Sequence, residues 1–138
     1  FYEHLSELSG STIKVDGGYP VDISSRLCDL LKMAAHNEDQ EADDVYPAFA
    51  ETARAEGFAK VAQDFENIAQ IERSHSARFK KFHDLCTSGR LFSSDKPERW
   101  VCMNCGFILE SEQAPQKCPV CGVDQGYYIR LEMAAWGL

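Results

Sequence analysis

Two helical stripes in this chain carry ionisable side chains where apolar ones belong, and few folds tolerate that. Read in alternating steps of three and four, the second stripe runs Phe58, Val61, Phe65, Ile68, Glu72, His75, Phe79, Phe82 and Cys86. Such spacing places every member on one helix face, aimed at a partner helix. Glu72 and His75 interrupt it in the middle. The preceding segment repeats the pattern with Leu27, Leu31, Ala34, Glu38, Glu41 and Val45, followed by Ala48 or Phe49. Gly57 separates the two runs as a left-handed cap would, and Gly89 ends the second. The short link predicts an antiparallel hairpin of helices over residues 24–55 and 58–88. Asp22 or Ser24 is placed to cap the first helix. Pro47 falls inside that helix and should kink it or open its hydrogen bonds, since it donates none and crowds the preceding turn.

The interruptions are level with each other. Counting from Gly57, Glu38–Glu41 and Glu72–His75 both lie roughly 25 Å from the turn, at about 1.5 Å per residue. Across an antiparallel hairpin they face one another. An unpaired carboxylate in a core costs several kcal/mol or neutralises itself, and three carboxylates together repel. A metal ion removes both problems, and carboxylate with imidazole suits iron or manganese. Spacing of i, i+3 brings Glu72 and His75 to the same face, one turn apart. A lone Glu-x-x-His or Glu-x-x-Glu is commonplace; two on matched core stripes point to Glu38, Glu41, Glu72 and His75 as metal ligands. A di-metal site in a four-helix bundle takes about six ligands, with one Glu from each of two helices and Glu-x-x-His from each of the others. This chain supplies about half, so the remainder has to come from another segment or chain.

A second metal signal lies near the C-terminus. Cys102-Met103-Asn104-Cys105-Gly106 and Cys118-Pro119-Val120-Cys121-Gly122 are two CxxCG knuckles. Four thiolates at this spacing hold one tetrahedral ion, and each glycine permits a tight turn that points backbone N–H groups at sulfur. Short apolar pieces surround them, at Trp100-Val101, Phe107-Ile108-Leu109 and Tyr127-Tyr128-Ile129. A β module of this size needs its metal to fold. Zinc as a structural staple is the alternative to iron. The polar stretch 90–99, with Pro97, reads as a linker. Cys28 and Cys86 fall on or beside the apolar stripes and read as buried thiols.

Composition closes off other classes. The chain has 138 residues, 44% of them hydrophobic, and a net charge of −8. That balance, without a basic patch, argues against nucleic-acid binding. No apolar run approaches the ~18 residues of a membrane span, and no signal-peptide pattern opens the sequence. Paired CxxC motifs without such a signal point to reduced thiols in the cytoplasm. FYEHLSEL reads as the last two turns of a helix already under way, so the N-terminal part of a larger protein is expected to be missing; processing of a short leader is the alternative.

The combined pieces resemble the rubrerythrin family: Glu38-xx-Glu41-xxxx-Tyr46-Pro47-Ala48-Phe49-Ala50, Glu72-Arg73-Ser74-His75, and the cysteine module, in that order. The resemblance covers roughly residues 20 to 135. It implies a mainly α fold, half of a ferritin-like four-helix bundle (residues 1–89), followed by a rubredoxin-like β domain (100–138). It implies a di-iron pair with oxo and carboxylate bridges at Glu38, Glu41, Glu72 and His75, with Glu41 at the position that exchanges with redox state. Tyr46 matches a tyrosine beside the iron carboxylates. A single iron is implied at Cys102, Cys105, Cys118 and Cys121, with zinc an alternative in a given preparation. The implied activity is reduction of hydrogen peroxide to water in oxidative-stress defence, with electrons from an NAD(P)H-linked reductase or rubredoxin. The family's first helix pair, with its own Glu and Glu-x-x-His, has no counterpart here. His4 directly follows Glu3 and fits no such motif. Two copies of the hairpin, in a homo-oligomer expected to be a dimer, or a separate N-terminal fragment would complete the bundle. Other readings are an electron-transfer module with an incomplete di-iron site, or ferroxidase-like iron handling.

Overall fold

The computed structural model describes residues 2–135. Phe1 and residues 136–138, which the sequence readings include, lie outside the described residues. The chain divides into two compact units, one up to His83 and one from Asp84.

A 3₁₀ segment, Tyr2–Leu8, and a long irregular stretch precede α1, Leu27–Gln40. The opening segment therefore winds more tightly than the α-helix end expected of FYEHLSEL. Neither expected cap bonds as one. Ser24 Oγ accepts from the Arg26 N–H and donates to Asp29, while Asp22 accepts from Asn37. After α1 the chain makes a π turn, Glu41–Val45, and then α2, Tyr46–Ala55. The distortion expected of Pro47 takes this form. Tyr46 N–H bonds the Glu41 carbonyl, five residues back. The Ala42 carbonyl then has no helical donor, since the residue next in turn, Pro47, carries no N–H. Arg73 from the facing helix supplies one, at 3.2 Å, and also bonds Asp43 at 3.1 Å.

α2 ends in a Schellman cap. Gly57 has φ +87°, its N–H bonds Arg54 O, and Phe58 N–H reaches back to Ala53 O. α3, Ala59–Thr87, returns antiparallel, and Gly89 (φ +69°) closes it with the same pair of bonds.

The hairpin's seam differs from the expected stripes. Its buried residues are Ala35, Ala42, Ala50 and Ala53 on one side and Ala62, Ala69 and Ser76 on the other. Several fall one position after a stripe member: Ala62 after Val61, Ala69 after Ile68, Ser76 after His75, Ala42 after Glu41. Small side chains, seven residues apart at Ala62, Ala69 and Ser76 and at Ala35 and Ala42, take the seam. The larger stripe residues are left beside it, and Leu27, Phe49 and Phe58 are each at least half exposed. An apolar groove of about 420 Å³ lies there, lined in part by Leu5, Phe49, Phe58, Val61 and Phe65.

The second unit is a three-stranded antiparallel sheet, β1 (Ser93–Cys102), β2 (Ile108–Gln113) and β3 (Tyr128–Arg130), with β1 central. β1 begins inside the stretch read as a linker. Its polar alternation hid a strand whose pairing with β2 is irregular between Ser93 and Glu98, where Pro97 sits. The core holds Trp100, Cys102, Ala114, Cys118 and Tyr128. Arg130 is buried over the Trp100 ring and donates to the carbonyls of Arg90 and Ser93. Cys28 and Cys86, read as thiols, are each disulfide-bonded. Stripe position does not encode whether a second sulfur comes within bonding reach.

The seam makes a direct prediction. Ala62→Leu forces four-carbon bulk into a fully buried contact and should destabilise the hairpin by about 1–3 kcal/mol, read as a lower urea midpoint. An unchanged midpoint would show the seam to be loose.

Candidate metal centres

The first cluster sits beside the seam. Glu38 comes from the last turn of α1, and Glu72 and His75 from the middle of α3. His75 Nδ1 is 2.7 Å from Glu72 Oε2 and 3.3 Å from Glu38 Oε2. The three ligand atoms lie within 4.8 Å of one another, and all three residues are half-buried. Neighbouring ligands of a six-coordinate ion with bonds of about 2.1 Å stand about 3 Å apart, so these separations fit a common metal. Burial raises the Glu38 carboxyl, Glu72 beside it raises it further, and His75 opposes both. The level heights read from the sequence therefore hold for Glu38, Glu72 and His75.

Glu41 is not drawn into this trio. It opens the π turn, half-buried, and lines a groove with Gln40, Val45 and Tyr46. Tyr46 lies within the field of all three carboxylates. Burial, then Glu41, Glu72 and Glu38 in turn, push its phenol above the ordinary value. It stays protonated, a hydrogen-bond donor beside the acidic cluster, and its ring packs on Phe49 and Phe65.

A supporting network escaped the sequence reading. Ser76, beside His75, donates to Asp39 Oδ1 at 2.6 Å, and Lys80 bonds the same carboxylate at 2.9 Å. Asp39 is next to Glu38, so this bridge pins the two helices one residue from the ligands on each side. Asp39 and Ser76 each follow a stripe position by one, the only signal that could have marked them. Lys80 first, then the Ser76 hydroxyl, hold the Asp39 carboxyl below its usual range.

The second cluster is the four cysteines. Cys102 Sγ and Cys121 Sγ are 3.8 Å apart, and Cys105 Sγ and Cys118 Sγ are 3.7 Å apart. A tetrahedral ion with bonds of about 2.3 Å to sulfur sets its sulfurs about 3.8 Å apart, so the donors are already in place. The knuckles repeat each other. Gly106 N–H bonds Cys102 O and Gly122 N–H bonds Cys118 O, with φ +80° and +77° at the glycines. In each knuckle the first cysteine is buried and the second exposed. Backbone N–H groups point at sulfur as expected: Phe107 at Cys105, Cys121 and Val120 at Cys118, Val123 at Cys121. At Cys105 the N–H of Phe107 lowers the thiol, but burial and the three other sulfurs push it up to about 12. Burial raises Cys118 too, yet the Tyr128 hydroxyl and two N–H groups bring it down to about 6. Four sulfurs this close cannot all ionise without a cation among them.

A two-helix element with a Glu, Glu and His cluster, followed by a four-cysteine sheet, defines a ferritin-like non-haem metal protein with a rubredoxin-like module. Residues 29–100 match the family model for rubrerythrin, and residues 100–129 match that for the rubrerythrin rubredoxin-like domain. The chain belongs to the rubrerythrin family. It is 40% identical to a rubrerythrin of Clostridium perfringens over 93% of this chain and 66% of that protein. It is 32% identical to a rubrerythrin of Nitratidesulfovibrio vulgaris, over 88% and 63%. A structure described as partially reduced nigerythrin shares the fold, with a TM-score of 0.51 at 24% identity, covering 94% of this chain and 60% of that one. The chain thus spans just under two thirds of the rubrerythrins it matches. The cofactors are iron, at a di-iron site and at a rubredoxin-type four-cysteine site.

Asp39→Ala should cost about 1 kcal/mol of stability, because Ser76 keeps only its longer bond to Ala35 O. It should also loosen metal binding at the helical site by roughly 10- to 100-fold, as losses of ligand-supporting contacts do. The Asp39 contribution is complete above the unfolded-state value of 3.8 and fades as acid takes the pH below it, through the lowered folded value. Metal titration at neutral pH checks the affinity, and unfolding at pH 7 and pH 3 the acid dependence.

Proposed function

We propose that this chain is part of a rubrerythrin-type peroxidase that reduces hydrogen peroxide to water in defence against oxidative stress. The observation that supports it most is the convergence of Glu38, Glu72 and His75 on one point of the hairpin. In this reading they are iron ligands, Glu41 is the carboxylate that moves with redox state, and Cys102, Cys105, Cys118 and Cys121 hold the second iron. Iron bound at the helical site supplies the electrons that break the O–O bond; two electrons and two protons convert one peroxide to two waters. The residues around it do the positioning. Tyr46 keeps its proton and offers a donor beside the carboxylates. Asp39, Ser76 and Lys80 hold α1 and α3 at fixed register while the carboxylates shift.

Single electrons enter through the four-cysteine site, whose exposed residues Cys105 and Cys121 form its outward edge. The proposed donor is an NAD(P)H-linked reductase or a rubredoxin. The apolar face left open beside the seam takes the rest of the bundle, from a second copy in a homo-oligomer or from a separate segment carrying the missing ligands. The proposed location is the cytoplasm, where the four thiolates stay reduced. Among the described residues no helix is long and apolar enough to cross a membrane.

Glu72→Ala or His75→Ala should abolish the di-iron signal and peroxide turnover while leaving the visible bands of the four-cysteine iron intact. Cys102→Ser should stop NAD(P)H-linked turnover yet spare the di-iron signal. Full turnover in the first pair would remove the ligand assignment, and full turnover in the second the relay. A chain that loads only the four-cysteine iron would be an electron carrier.

A further inference from the structure

Among the described residues, the Tyr128 hydroxyl is the buried side-chain oxygen that closes no hydrogen bond of ordinary length and angle, although it lies near enough to Cys118 to act on that thiol. Tyr128 lies in β3, opposite Cys102 in register, and packs in one core cluster with Cys102, Cys118 and Trp100. Only 4% of it is exposed. A buried hydroxyl without a well-formed hydrogen bond bears an uncompensated desolvation cost, and phenylalanine would fill the same space without it. Of the sulfurs that act on this hydroxyl, Cys118 is the one in hydrogen-bonding relation to it, and it packs in the same core cluster. A neutral thiol is a weak acceptor. A metal-bound thiolate is ionised, and hydrogen bonds to ionised acceptors are about twice as strong as neutral ones. The loose contact between this hydroxyl and Cys118 therefore tightens into a full hydrogen bond when metal occupies the four cysteines.

We propose that the Tyr128 O–H donates to the metal-bound thiolate of Cys118 and raises the reduction potential of the four-cysteine iron. This rests on iron at that site and not on peroxide reduction. Reduction adds one electron from the donor. No bond breaks and Tyr128 keeps its proton, while the charge of the iron with its four thiolates goes from −1 to −2. A donor aimed at sulfur stabilises the more negative state, and hydrogen bonds to sulfur are among the determinants of such potentials. Cys121 takes a donor from the Asn104 side chain as well as from backbone, whereas at Cys118 the donors besides Tyr128 are backbone N–H groups that stay with the fold. Tyr128 contributes through a single side-chain atom, so one substitution sets its contribution to zero. It is a positioning and tuning residue, not a catalytic one.

The test uses the iron-loaded chain. Tyr128→Phe should lower the equilibrium constant for reduction about tenfold, which is about 59 mV for a one-electron couple. The sulfur-to-iron charge-transfer bands should shift with it. Tyr127→Phe, at the exposed neighbouring ring, should leave both unchanged. Equal potentials in the wild type and Tyr128→Phe overturn the proposal. If the Phe variant fails to fold, the wild type loaded with NMR-active cadmium carries the test. A slowly exchanging Tyr128 hydroxyl proton, coupled to the metal through the hydrogen bond, is expected; a freely exchanging, uncoupled one overturns it. Uptake of zinc in place of iron would sink the iron reading separately, while the cadmium spectrum still decides the hydrogen bond.

Discussion

The burial of a row of alanines and one serine between two helices is the constraint from which the rest of the bundle half follows. Ala42, Ala62, Ala69 and Ser76 put almost no bulk between the backbones. Across this seam Glu38 and His75, on opposite helices, come within 3.3 Å. Larger residues in the seam would separate the ligands and leave each carboxylate to water. The usual division of labour in an amphipathic helix is thereby shifted. Small residues make the intrachain contact, and the large apolar ones are left on a face that needs further partners.

The two metal centres solve one electrostatic problem in different ways. At the helical site, acids are crowded and half-buried, and a protonated phenol stands next to them. At the cysteine site, four sulfurs are set within tetrahedral spacing by two backbone turns with matching hydrogen bonds. The first frame is made by side chains reaching across a seam, and such ligands can rearrange. The second is made by backbone, and its geometry varies little. The proposed function, ligand exchange at the first site and passage of single electrons at the second, calls for that difference.

Much of this was legible in the sequence because it depends on spacing. The hairpin follows from stripe period and two glycines, the cysteine knuckles from their own repeat, and the level ionisable pairs from counting residues from Gly57. The seam was not legible. A stripe of large apolar residues is the stronger pattern, and nothing local says that the alanines one position later win the contact. The strand nature of residues 93–99 was hidden by their polarity, because pairing with β2 is a backbone property. The disulfide state of Cys28 and Cys86 and the buried hydroxyl of Tyr128 depend on proximity in space. Glu41 shows the same limit, since its stripe position is right while the π turn places it toward Tyr46 and outside the trio.

The π turn itself has a consequence for how such a chain can vary. It holds one residue more than α-helical winding needs, and Pro47 together with Arg73 makes that excess permanent. Each residue of an α-helix turns the chain by about 100°. Losing a single residue between Glu41 and Val45 would therefore rotate all of α2 about its axis. Tyr46 would swing off the carboxylates, while Ala50 and Ala53 left the seam. A deletion usually counted as mild would act there as a simultaneous change of every contact α2 makes, so this short segment tolerates substitution far better than any change in its length.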